Sequence, residues 1–196
     1  MINILVVISL LIFYILFIGR TISLATDGIK VIVLGRASNI IDNLLENLTL
    51  PFLILWTILI LLMVFNIEIP VIFELIMKNS YLSYIGIILC YIGLVIFVYA
   101  LISFGSSWRV GIDNESQGKL VTTGIFKYSR NPIFLFMDIY FIGITLVYPT
   151  LIFMLMTLIF VVGAHKQILN EEKHLEKIYK EDYLNYKKQT KRYFYF

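Results

Sequence analysis

Five apolar runs broken by polar stretches set the plan of this chain: Ile2–Gly19, Leu48–Phe65, Tyr81–Phe104, Ile133–Tyr148 and Thr150–Ala164. The first three meet the requirement of roughly 20 residues for a helix that spans a bilayer. The last two are shorter, about 24 Å each at ~1.5 Å per residue. Pro149 stands between them, so they predict a tight helical hairpin that crosses a locally thinned bilayer. Beyond Ala164 the pattern changes. Apolar or aromatic residues at Ile168, Leu169, Leu175, Ile178, Tyr179, Tyr183 and Tyr186 approximate a period of 3.6, with Lys and Glu between them. That pattern predicts one or two amphipathic helices at a membrane surface. Residues 20–47 are too polar to span and read as a connector. Gly86 and Gly93, seven apart, leave one face of the third span open to close helix contact. With no internal repeat, the expectation is one all-α integral membrane domain over 1–196. It has five transmembrane helices and amphipathic C-terminal helices on the cytoplasmic side.

Composition agrees with a membrane protein. Hydrophobic residues make up 60% of the chain and mean hydropathy is +0.89, which excludes an ordinary soluble domain. The first run lacks a basic n-region and a small-residue cleavage site, so it reads as a retained helix. Charge fixes the orientation. With five spans and the N-terminus outside, the inside segments hold 3, 4 and 8 basic residues, 15 of the 16 in the chain, and only Lys78 falls outside. The asymmetry predicts a cytoplasmic C-terminus. The net charge of +3 is thus a topological signal and gives no case for nucleic-acid binding. Cys90 stands alone, which excludes an intramolecular disulfide and a cysteine-cluster metal site. His165 and His174 lack a third ligand at metal spacing, so no metal is expected.

Candidate chemistry gathers in a polar island, Leu120–Pro132, and at Glu171-Glu172, 39 residues beyond Pro132. A short hairpin returns both to the same membrane face. Arg130 can present a planar fork to a carboxylate or phosphate; its plainer reading is an interface arginine that fixes topology. Pro132 suits the first turn of the next helix, whose free N–H groups carry partial positive charge. Glu171 and Glu172 lie near the headgroups, where a carboxylate can balance a cationic ligand, although a solvated helix face also explains them. Asp138 is a carboxylate at membrane depth, which is costly and points to a cavity or to a partner such as Arg130. No GxGxxG, P-loop or nucleophile elbow occurs.

LVTTGIFKYSRNPIF (Leu120–Phe134), followed after the hairpin by EEKHLEKIYKEDYLNYKKQTKRY (Glu171–Tyr193), resembles the isoprenylcysteine carboxyl methyltransferase family and its phospholipid N-methyltransferase relatives. These are small integral membrane enzymes that use S-adenosylmethionine. The resemblance implies N-terminal helices over 1–104 and a cofactor-binding catalytic part over 105–196; the Ile-, Lys- and Asn-rich composition points to an AT-rich microbial genome and so to a bacterial plasma membrane. The resemblance also implies a cofactor pocket lined by Gly118, Lys119, Leu120, Val121, Phe126, Tyr128, Asn131, Pro132, Ile133, Phe134 and Glu171. Arg130, Glu171 and Glu172 would be the catalytic group, and Gln167, Asp138 and Arg192 would face the acceptor, a lipid or a lipidated small molecule or peptide. Three departures stand out. Asn131 replaces the family's His, Phe126 and Phe134 replace Tyr, and Gln167 stands where carboxyl methyltransferases tend to have Arg. Two further readings remain: a membrane reductase using a nicotinamide cofactor, and a non-catalytic scaffold of the same fold.

Overall fold

The computed structural model describes residues 1–34, 40–67, 69, 72–77, 79–111 and 119–194. Five α-helices carry it: α1 (Ile2–Thr26), α2 (Ile40–Val64), α3 (Ser80–Phe104), α4 (Pro132–Val147) and α5 (Leu151–Gln189). Short 3-10 turns follow at Gly105–Ser107 and Gly124–Lys127. The all-α membrane architecture expected from the sequence is therefore observed. Among the described residues four helices are long and apolar enough to cross a membrane, and α4, with 16 residues, is the short arm of the hairpin. The polar connector is less of a connector than its composition suggests, because α1 runs on to Thr26 and α2 starts at Ile40.

Local signals set the helix ends. The Asn79 side chain accepts the Tyr81 N–H at 2.9 Å and opens α3, and the Thr150 hydroxyl accepts the Phe153 N–H at 3.3 Å and opens α5. Pro132 takes the first turn of α4, where its missing N–H costs nothing.

The helices alternate in direction. At one end, Asn3 donates to the Val64 carbonyl (3.0 Å) and accepts from the Tyr148 hydroxyl (2.9 Å), tying the start of α1 to the ends of α2 and α4. At the other, the Val110 N–H donates to the Val31 carbonyl (2.8 Å) and the Val33 N–H to the Val110 carbonyl (2.9 Å), folding the segment after α1 over the end of α3. This second end also carries the start of α4 and the polar half of α5, and is called the polar end below.

α3 and α4 pack most closely. A Cβ on Gly86 would run into the Gly143 carbonyl and Val147, and one on Gly143 would meet the Cys90 sulfur at 2.7 Å. Glycine is required at both places because backbone meets backbone. Rings fill the space between helices: Trp56 stacks on Phe141 at 4.2 Å, and Phe141 on Phe160 at 4.1 Å. Ser9 and Tyr140 share a hydrogen bond of 2.8 Å, which satisfies two hydroxyls inside the bundle. Outward residues such as Ile4, Leu11, Ile15 and Ile22 are exposed and apolar, as a lipid-facing surface requires.

α5 departs from a straight rod. Lys180 has φ 45°, a left-handed conformation uncommon outside glycine. Lys187 nevertheless reaches Glu176 at 3.2 Å, although 11 residues would lie about 16 Å apart along a straight helix. The chain therefore doubles back at Lys180. The expected amphipathic tail is thus a polar extension of α5 followed by a short returning helix.

Candidate active site at the polar end

The returning helix carries the C-terminal segment onto the loop before α4. The Arg130 N–H donates to the Lys191 carbonyl (2.9 Å), and the Ser129 hydroxyl and Asn131 amide donate to the Arg192 carbonyl (3.2 and 3.3 Å). The Arg130 guanidinium also donates to the carbonyls of Thr190 and Lys187. The Tyr186 hydroxyl donates to the Phe126 carbonyl at 2.7 Å. Phe126 in turn meets Phe104 edge-on, with centroids 4.6 Å apart.

Glu172 is the hub. Its Oε1 accepts from Arg130 Nη2 (2.7 Å), Arg130 Nε (3.2 Å), Arg192 Nε (3.1 Å) and Asn131 Nδ2 (3.4 Å), and its Oε2 from Arg192 Nη2 (2.9 Å). The Glu172 and Arg130 side chains are 5% and 8% exposed, so the pair is effectively out of water. Burial by itself would raise the Glu172 carboxyl, but the hydrogen bonds from Arg192 and Arg130 outweigh it and hold the group below the usual carboxylate range. The same bonds raise Arg192.

Glu171, one residue earlier, faces two cavities. The larger, about 260 Å³, lies among α1, α2, α4 and the apolar half of α5. The smaller, about 180 Å³, lies between residues 119–121 and the polar extension of α5, with Tyr179, Tyr183 and His174 in its wall. Phe104, Arg109, Phe126, Arg130, Asn131 and Glu171 line both, so the two meet at a shared neck. Burial raises the Glu171 carboxyl to about 8, with help from the negative charges of Glu46 and Glu172. Tyr183, on the wall of the smaller cavity, is pushed up to about 12, again chiefly by burial.

The residues singled out from the sequence take different places. Arg130, Asn131, Phe126 and Glu171 come together at the neck. Lys119, Leu120 and Val121 line the smaller cavity, and Pro132, Ile133, Phe134 and Gln167 the larger. Tyr128 is exposed and Asp138 buried, and both lie outside these cavities. Asp138 makes no ion pair with Arg130, and one of its oxygens is buried with no hydrogen-bond partner among the described residues. Arg192 and Glu172 lie behind the neck, paired with each other. Gly118 falls outside the described residues. Sequence reasoning missed Phe104 and Arg109 at the neck and Glu46 beside Glu171. Glu46 sits in the polar stretch before the second apolar run, where nothing marks it as different from a solvated connector charge.

A family model described as phospholipid methyltransferase matches residues 82–182, just over half of the chain. The match runs from the first turn of α3 through both arms of the hairpin and the polar extension of α5, and so includes the neck. No curated protein and no solved structure gives a match.

Proposed function

The chain belongs to the phospholipid methyltransferase family, and from that premise we propose that it transfers a methyl group from S-adenosylmethionine to a lipid-like or prenylated acceptor at the cytoplasmic face of a bacterial plasma membrane. The observation that carries this reading is the pair of cavities joined at one neck. The smaller is partly polar and reaches the polar end, and the larger is mostly apolar and lies among the spanning helices. A polar cofactor and an apolar acceptor require such an arrangement if they are to meet.

The residues present suit this cofactor. Glu171 offers a carboxylate to its cationic groups, the rings of Phe126, Tyr179 and Tyr183 offer faces to adenine and to positive charge, and Lys119 offers a cation to its carboxylate. The bound cofactor supplies a methyl carbon on a sulfonium, open to in-line displacement. The protein's part is alignment and the exclusion of water, and well-placed reactants gain about 7–11 kcal/mol from alignment alone. The Glu172 clamp holds Arg130 and Asn131 at the neck. A carboxylate acceptor needs no base. An amine or hydroxyl acceptor loses a proton, and Glu171, whose carboxyl is raised to about 8, is a basic group at the neck that can take it.

Calorimetry on detergent-purified protein tests the assignment. We expect binding of S-adenosylhomocysteine and none of NADPH. Binding of NADPH alone would mean the reductase reading, and binding of neither a scaffold.

A further inference from the structure

Gly163 has no packing reason to be a glycine. Gly86 and Gly143 are held to that residue type by backbone contact, whereas a Cβ on Gly163 would meet nothing within 4 Å. Glycine weakens a helix interior relative to alanine, and Gly19 in α1 is equally free of contacts, so what sets Gly163 apart is where it stands.

Leu155, Leu158 and Val162 point outward and are exposed, while Phe153, Ala164 and Ile168 face the core. At 100° per residue Gly163 falls between these two faces, flanked one turn away by Ile159 and Gln167, and all three line the larger cavity. Ile159 is 61% exposed although it lines the cavity, and so is Leu48, at 49%, on α2. Cavity walls exposed on both facing helices mark a side opening between α2 and α5, and Gly163 stands on its rim.

The inner wall decides what passes. Ten aromatic rings line the cavity, and its charged groups, Arg109, Arg130 and Glu171, all belong to the neck. A volume of about 260 Å³ lies below the usual range of small-molecule pockets, about 300–1,000 Å³, so one segment of hydrocarbon chain fits and a whole two-chain lipid does not. We propose that Gly163 sets the bore of this opening and admits one hydrocarbon chain of the acceptor at a time, making it a specificity-determining residue for tail thickness. The proposal rests on the methyl-transfer reading for the identity of the acceptor, but entry of the chain can be tested apart from transfer.

Trp56 and Trp108 are the two tryptophans of the chain. Trp56→Phe leaves Trp108, which is 2% exposed and lines the cavity, as the one fluorophore of its kind. Bromine quenches tryptophan near contact, so methyl dibromostearate in the micelle reports a chain inside the cavity. We expect strong quenching in the Trp56→Phe protein and in its Gly163→Ala derivative, and at least a twofold loss of quenching in Gly163→Leu. Leu48→Phe narrows the opening from the other side and is expected to act in the same direction, so it decides the matter if Gly163→Leu fails to give a cooperative melt. Quenching that is absent from the Trp56→Phe protein, or unchanged in a folded Gly163→Leu or Leu48→Phe variant, overturns the proposal. Loss of S-adenosylhomocysteine binding with quenching still governed by Gly163 overturns the methyl-transfer reading and leaves the opening in place.

Discussion

Two regions at the polar end are built from adjacent carboxylates, and they solve opposite problems. Around Glu172 both carboxylate oxygens are engaged: two guanidinium groups and an amide converge on it, and the carboxyl is held ionised below its usual range. Around Glu171 the carboxyl faces cavity space, with Glu46 and Glu172 as negative neighbours, and is raised to about 8. One region uses its charge to hold the chain in place, and the other is set to ionise when a cationic group arrives. Environments that push the ionisation of two carboxyls apart also separate their roles. The clamp joins the loop before α4 to the end of the chain, and the neck needs that loop fixed. Substitutions that break one region without the other will show whether the division is real.

Glu172→Gln is expected to have the largest effect. It leaves Arg130 buried without its counter-charge, which costs about 3–5 kcal/mol when one partner of a buried pair is removed. A thermal melt of the purified protein in detergent should show a greatly lowered midpoint or no cooperative transition. An unchanged midpoint would mean that Glu172 is not structural. pH gives the matching test with its sign fixed. Because the folded carboxyl titrates below the unfolded one, its stabilisation is complete above the unfolded range, near ~4.3, and is lost as pH falls through the lower folded value. Wild type should therefore lose stability in acid more steeply than Glu172→Gln.

Arg192→Ala comes next. Arg192 is the more exposed partner, with 31% of its side chain accessible, and Glu172 keeps Arg130 when it is gone. Loss of hydrogen bonds to a charged group typically costs about 1.5–3 kcal/mol, and the exposure places this one at or below the lower end. The melt should drop by clearly less than in Glu172→Gln, and the affinity for S-adenosylhomocysteine should change little. A large loss of affinity with no loss of stability would return Arg192 to the ligand side of the comparison.

The sequence carried one of these regions further than the other. Arg130, Asn131 and the Glu171-Glu172 pair were legible because charge at a membrane mouth needs a reason and the hairpin length returns both stretches to one face. Charge and spacing alone did not tell which of two neighbouring glutamates faces the cavity; only the family resemblance put Glu171 in the pocket. About 100° of helix separates them, and the difference is decided by Arg192, which reaches Glu172 only because the chain reverses at Lys180. Nothing in IYKEDY announces that reversal, since no Gly, Pro or Asn marks it. The five apolar runs gave the helices readily, but the larger cavity is a property of how α1, α2 and α5 splay apart, and period and composition do not encode that.

Glu171→Gln acts on the other region, with an effect on affinity in place of stability. Removing a carboxyl that has like-charged neighbours should leave the melt within about 0.5 kcal/mol of wild type, as for substitutions that break no buried pair. Affinity for S-adenosylhomocysteine should fall about tenfold, equivalent to ~1.4 kcal/mol. Wild-type affinity should also depend on pH. With the free carboxyl at about 8, a ligand whose ammonium group requires the ionised form gains up to about tenfold per pH unit as pH rises towards that value and levels off above it. Titration at pH 7 in two buffers of different ionisation enthalpy should register proton release in wild type and none in Glu171→Gln. Equal proton release in both would place the titrating group elsewhere.

Tyr186→Phe is the smallest change and the finest test, because it lies on the seam between the two regions. Its hydroxyl donates to the Phe126 carbonyl at 2.7 Å, and Phe126 lines both cavities while Tyr186 sits on the returning helix that carries the clamp. Losing one such hydrogen bond costs about 0.5–1.5 kcal/mol, so the melt should fall only slightly. If the clamp supports the neck through the path from Tyr186 to Phe126, the weakened link should lower affinity for S-adenosylhomocysteine by a few-fold while leaving the proton release of Glu171 intact. If affinity stays at the wild-type value, the support runs through Arg130 and Asn131 alone, and the clamp and the neck are coupled only where those two residues belong to both.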